Sequence, residues 1–302
     1  MDVIFMGTPD YADVILKALI ADADINVKAV YTQPDKPVGR KKTLTPPVVK
    51  TTALEHNIAL YQPQKLREES VIAELLQIEC DYIVVAAYGQ ILPRAILDHA
   101  PCINLHASIL PQYRGASPIQ QTLLNGDKET GVTAMLMEEG LDTGDILKIE
   151  KIQVGDDEML ASLFERLTQL AASLTLDVLK NFELYTPVPQ DDTQATHCKK
   201  ITKADGEVTF DDAQTLYNKY RAFTPWPGIY LASKLKLKKI ALQDSNSSNR
   251  AGEILSIDKE SIVVGCTKGS IRVFRVQPES KKEMDVLAYI NGKRLGLADT
   301  LF

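Results

Sequence analysis

Apolar and polar positions alternate along this chain in a way that predicts strands and helices taking turns. Val3–Met6 is an apolar run ending at Gly7-Thr8-Pro9, and Tyr11, Val14, Ile15, Ala18 and Leu19 then recur at helical spacing. A second strand over Ile25–Thr32 completes a β-α-β opening, which implies a parallel sheet with a right-handed crossover. Val48–His56 and Glu68–Ile78 read as helices, with a short strand near Leu60 and Tyr61 between them. Tyr82–Ala87 is apolar throughout, as expected for a strand buried on both faces. Cys102–His106 is a further short strand between Pro101 and a polar loop rich in proline and glycine. A helix over Pro118–Asn125, strands over Val132–Met137 and Ile146–Ile152, and an amphipathic helix over Met159–Asn181 follow. The expected first domain, residues 1–185, is therefore α/β, a Rossmann-like open and mostly parallel sheet.

The pattern changes after that. Residues 186–205 are polar, carry Pro187 and Pro189, and read as a linker. Beyond it a helix through Leu216–Phe223 precedes short strands near Ile229–Ala232, Lys236–Gln243, Glu253–Ile257, Ser261–Gly265 and Ser270–Val276. Several short strands with turns between them predict a small OB-like β-barrel domain over residues 206–302. A length of 302 residues suits two domains and needs no disulfide or metal staple.

Charge adds one asymmetry. The net charge is −6, divided as −10 over residues 1–205 and +4 over residues 206–302. A basic tail suits a polyanionic partner, although a difference this small also arises by chance. Cys80, Cys102, Cys198 and Cys266 are scattered with no CxxC pair, as in a cytoplasmic protein with reduced thiols. The first residues, MDVIFMGTPD, do not form a signal peptide, and no run of 18 apolar residues offers a membrane span.

Candidate chemistry concentrates between Cys102 and Asp145. Side chains alternate along a strand, so Asn104 and His106 share one face at its carboxyl end. Asp142 lies in a second loop, between Gly140 and Gly144. An amide, an imidazole and a carboxylate suit acyl-type transfer to an amine, which needs donors for a developing oxyanion and a route for a proton. Ser108 has no GxSxG elbow around it, the adjacent His197 and Cys198 lack any spacing for pairing, and four scattered histidines give no metal-ligand spacing. The first turn holds Gly7 alone, so no dinucleotide fingerprint is present. Residues 33–47, QPDKPVGRKKTLTPP, read as a long loop whose Arg40, Lys41 and Lys42 are either a solvated surface or a phosphate contact. Residue chemistry alone thus leaves an α/β enzyme that uses a cofactor or co-substrate, with its reaction open.

The string NLHASILP at residues 104–111, with YRG at 113–115, SPI at 117–119 and GLDTGDI at 140–146, resembles the signature of the folate-dependent formyltransferases. FMGTPD, PDKPVGRKK and RAFTPWPG extend the likeness over essentially the whole chain. The resemblance implies transfer of the formyl group of 10-formyltetrahydrofolate to the amino group of methionine carried on initiator tRNA, without a metal. It assigns catalysis to Asn104, His106 and Asp142. It assigns folate binding to Ser108, Ile109, Leu110 and Pro111 and to the loop of Gln90, Ile91 and Leu92. By the same likeness Arg40, Lys41 and Lys42 reach the acceptor end of the tRNA, which displaces the solvated-loop reading, and the tail domain also binds tRNA. A monomer is expected. Formylation of an amino-sugar nucleotide or of glycinamide ribonucleotide, and RNA binding without catalysis, are the alternatives.

Overall fold

The structure, a computed structural model, describes residues 1–39 and 42–301, with Val38 described by its backbone only. In chain order the elements begin β1 (Asp2–Gly7), α1 (Asp10–Ala21), β2 (Asn26–Tyr31), β3 (Lys36–Val38), β4 (Thr43–Thr45), α2 (Val48–Glu55), β5 (Ala59–Tyr61) and α3 (Glu69–Leu75). They continue with β6 (Tyr82–Ala86), α4 (Arg94–Leu97), β7 (Cys102–His106), β8 (Arg114–Gly115), α5 (Pro118–Asn125), β9 (Glu129–Leu136), β10 (Ile146–Gln153), α6 (Leu160–Lys180) and β11 (His197–Cys198). The rest comprises α7 (Ala213–Phe223), β12 (Ile229–Tyr230), β13 (Lys236–Asp244), β14 (Ile254–Ile257), β15 (Ile262–Gly265), β16 (Ser270–Gln277), β17 (Met284–Asp285) and α8 (Val286–Lys293).

Two compact units emerge. The first is built on a seven-stranded sheet of order β10-β9-β7-β6-β1-β2-β5. Its centre is parallel, as the apolar runs predict, and β9 joins β7 antiparallel, with β10 antiparallel to β9. The chain leaves β1 toward β2 and β5 on one side and later returns to β6 and β7 on the other, so strand order reverses between β1 and β6. The carboxyl ends flanking such a reversal are where open α/β sheets place ligands. Every residue of β7 is buried, and Tyr11 of α1 pins that strand by donating its hydroxyl to the Leu105 carbonyl at 3.2 Å. Burial pushes the Tyr11 phenol well above its usual range, so it stays a donor.

The 33–47 stretch differs from the expected loop. Lys36–Val38 and Thr43–Thr45 pair antiparallel as a small hairpin, with Lys36 opposite Thr45. Three β-branched positions in six strand residues favour this pairing, but the period is too short to stand out in sequence. Arg40 and Lys41 lie outside the described residues, while Lys42 is exposed.

The 186–205 segment, expected to link two domains, packs with the first unit as far as Cys198. β11 pairs parallel to β8, and Ile146 exchanges both backbone hydrogen bonds with Val188. Polar residues and two prolines concealed this, because the segment is held by hydrogen bonds rather than by an apolar stripe.

The second unit contains an antiparallel β-sheet of order β12-β13-β16-β15-β14, with β17 on β16, built from the short strands expected there for an OB-like barrel domain. The sequence pattern missed α8 and β17. This unit also takes in residues 119–128 and 154–162, which the pattern had grouped with the first domain. Buried polar residues of α7 explain why: Asn218 donates to the Leu124 carbonyl, and the Arg221 guanidinium reaches the carbonyls of Gly155 and Glu158. Among the described residues no helix is long and apolar enough to cross a membrane.

Asp212 caps α7 by accepting from the Thr215 amide at 2.8 Å. That amide, followed by Lys268 at 3.3 Å, holds the Asp212 carboxyl below the usual carboxylate range. Asp212→Ala should therefore destabilise the fold by about 1 kcal/mol at neutral pH, read from the urea midpoint. A depressed carboxylate stabilises above its unfolded pKa and stops doing so as pH falls through its folded one, so the gap between variant and parent should close in acid.

Candidate active site

The site is assembled on β7 and three loops of the first unit. Register explains its first two members. Asn104 lies opposite Met135 and His106 opposite Thr133 of β9, two residues apart and on one face. Both are nearly buried, at 8% and 6% exposure. Asp142 comes from the turn between β9 and β10, with its backbone in the left-handed region at φ +56°. Aspartate tolerates that conformation better than most residues, and non-glycine residues held there cluster at functional sites.

The three side chains converge. Asp142 Oδ2 accepts from the Gly115 amide at 2.8 Å and lies 3.6 Å from His106 Nδ1, while Oδ1 lies 3.4 Å from Asn104 Nδ2. His106 Nε2 is 2.9 Å from the Tyr113 carbonyl. A carbonyl can only accept, so Nε2 carries a proton and Nδ1 is the nitrogen turned toward Asp142. The long Asn104 contact leaves its amide largely uncommitted, and 3.6 Å is beyond hydrogen-bond range for Nδ1. A carboxylate, an amide donor and an imidazole nitrogen are thereby gathered with unused hydrogen-bonding capacity.

Two glycines make the approach possible. Gly115 sits at φ +120°, and a Cβ there would collide with the Cys198 carbonyl. A Cβ on Gly144 would drive into the Leu136 carbonyl, so the turn bearing Asp142 could not lie against β9.

The loop after β7 is tied down internally. Ser108 is fully buried and donates its hydroxyl to the Gln112 carbonyl at 2.6 Å. Buried Thr133 donates to the Ser108 carbonyl at 2.7 Å and accepts from the Leu110 amide at 3.1 Å. The Leu110–Pro111 peptide is cis. Leu110 is buried, whereas Ile109 and Pro111 are only partly so. In the 90–92 loop Gln90 turns inward: its carbonyl accepts from the Leu66 amide and its amide donates to the Pro63 carbonyl. Leu92 joins the core and Ile91 is 78% exposed. The side chains of Ser108, Leu110, Gln90 and Leu92 thus shape the loops, leaving Ile109, Pro111 and Ile91 with apolar surface.

Sequence reasoning missed several supporting groups. Cys198 donates its thiol to the Tyr113 carbonyl and accepts from the Ser117 amide, both at 3.3 Å. Burial pushes this thiol up, with Asp142 adding to the shift, so it remains protonated. His197 points to solvent on the opposite face and makes no pair with it. Thr196 accepts from the Tyr113 amide at 2.9 Å. No local sequence signal marked these contacts, because each spans about 80 positions. No cluster of three or more metal-binding side chains occurs among the described residues.

Residues 1–179 match the formyl transferase family and residues 200–294 match the formyl transferase C-terminal domain. The chain belongs to the formyl transferase family. It is 68% identical over 301 residues, the full length of both chains, to the methionyl-tRNA formyltransferase of Sulfurimonas denitrificans. Identity to the methionyl-tRNA formyltransferase of a Nitratiruptor species is 54% over 304 residues, again covering both chains in full. Among solved structures, WlaRD, a sugar 3N-formyl transferase, matches at TM-score 0.67 and 16% identity, covering 93% of this chain and 99% of that one. HypX from Aquifex aeolicus matches at TM-score 0.60 and 15% identity over 98% of this chain, which spans 48% of HypX. At these identities the structural likeness speaks to fold.

Thr133→Val would leave the Ser108 carbonyl and the Leu110 amide without buried partners. The substitution should cost about 1–3 kcal/mol, seen as a lower denaturant midpoint.

Proposed function

We propose that this chain transfers the formyl group of 10-formyltetrahydrofolate to the amino group of methionine on initiator tRNA, with Asn104, His106 and Asp142 carrying the chemistry. The convergence of those three side chains at the carboxyl end of an otherwise apolar buried strand is the observation that supports the assignment. Full-length identity to methionyl-tRNA formyltransferases supports the choice of acceptor.

The bound folate supplies an activated formyl carbon. Ile109 and Pro111 after β7 and exposed Ile91 after β6 offer apolar surface for its ring system, with the backbone of the 108–111 and 90–92 segments supplying polar contacts. Asn104 turns an N–H toward the formyl oxygen, where negative charge develops as the amine attacks. A proton on Nδ1 gives His106 a second donor for that oxygen, because Nε2 is already held by the Tyr113 carbonyl. Asp142 attracts the charge His106 then carries, and accepts the proton that the amine loses as its bond to carbon forms. When the oxyanion re-forms the carbonyl, the bond from that carbon to the folate nitrogen breaks and the proton passes to that nitrogen, releasing tetrahydrofolate. No covalent bond to the enzyme is needed. The basic residues Arg40, Lys41 and Lys42, with the basic tail unit, hold the tRNA through its phosphates. This reading includes a monomer acting in the cytoplasm.

His106→Ala and Asp142→Asn should each lower kcat by on the order of 10²–10³ with saturating substrates. Near-parental turnover in formylation assays, run with charged initiator tRNA and with an amino-sugar nucleotide side by side, would remove the assignment. Arg40→Ala should raise KM for tRNA, and flatten its dependence on salt, while folate binding stays unchanged. Identical kinetics across a salt series would sink that role.

A further inference from the structure

The turn that carries Asp142 is held from outside by one side chain. Gln190 donates its amide to the Asp142 carbonyl at 2.9 Å and to the Gly144 carbonyl at 2.8 Å. Its own carbonyl accepts two hydrogen bonds from Arg114, at 3.0 Å from Nε and 2.8 Å from Nη2. Arg114 is buried, pairs with Asp192 at 2.8 Å, and directly precedes Gly115, whose amide donates to Asp142 Oδ2. One amide group therefore joins the turn bearing Asp142 to the strand bearing Gly115.

We propose that Gln190 is a positioning residue for Asp142, fixing where its carboxylate stands relative to Asn104 and His106. The proposal rests on the reading of Asp142 as part of the catalytic set. Four hydrogen bonds use the full fork of the Gln190 amide, two received at oxygen and two donated from nitrogen. Only a side chain with both a donor pair and an acceptor can bridge two carbonyls on one side and a guanidinium on the other. Without the two donated bonds, a turn in the left-handed conformation loses two of the contacts that oppose its relaxation, and a carboxylate displaced by about 1 Å is enough to cost on the order of 10²-fold in rate.

The test compares Gln190→Glu with the parent. Glutamate keeps the acceptor for Arg114 and removes both donors to the turn. The expected result is a kcat lower by about 10²-fold with KM for both substrates changed by less than roughly twofold, the signature of a defect confined to the reacting geometry. Gln190→Met, of similar length and uncharged, is the second variant should glutamate fail to fold, and near-ultraviolet circular dichroism verifies folding of each. In an Asp142→Asn background the Gln190 substitution should cost almost nothing further. A folded Gln190 variant with parental kcat, or one whose loss multiplies in full with that of Asp142→Asn, would overturn the proposal. Parental turnover by Asp142→Asn alone would instead overturn the catalytic reading of Asp142, so the two failures are told apart.

Discussion

A carboxylate taken out of water must find donors, and the first unit of this protein is arranged around that requirement. The Asp142 side chain is 11% exposed. A buried charge without compensation costs several kcal/mol, so the positions of its neighbours follow from its own. The Gly115 amide meets one oxygen, the Asn104 amide approaches the other, and His106 faces the first from the side. Gly115 can make that approach only without a side chain, because the β11 backbone lies directly behind it. The two side chains that stand off from the carboxylate, at 3.4 and 3.6 Å, are also the groups with capacity left for a substrate oxygen.

Much of the frame was legible in the sequence for simple reasons. A parallel strand buried on both faces must be apolar, so β1, β6 and β7 announced themselves, and two polar residues breaking such a strand at its carboxyl end invited attention. The period of two then placed Asn104 and His106 together. Asp142 was harder: the paired glycines around it marked a tight turn, but only the resemblance to formyltransferases linked that turn to β7.

What was not legible shares one physical character. The 188–198 segment is fastened by hydrogen bonds that Gln190 and Cys198 donate and Thr196 accepts, with partners roughly 45 to 85 positions away. A polar run with two prolines looks the same whether it crosses solvent or is laced to a distant loop. The membership of residues 119–128 and 154–162 in the second unit was hidden likewise, since buried polar side chains within α7 hold them rather than apolar periodicity. The small hairpin in the 33–47 stretch is too short for alternation to be distinctive.

The long reach of the 188–198 segment bears on how the protein comes into being on the ribosome. All seven strands of the first sheet are complete by Gln153, whereas the residues that brace the turn of Asp142 are among the last of that unit to be synthesised. A growing chain thus carries all seven strands, with Asn104 and His106 among them, before Gln190, which holds the backbone of the Asp142 turn, is made. A chain that stops before residue 190 carries every strand of this sheet and lacks the side chain that holds the Asp142 turn.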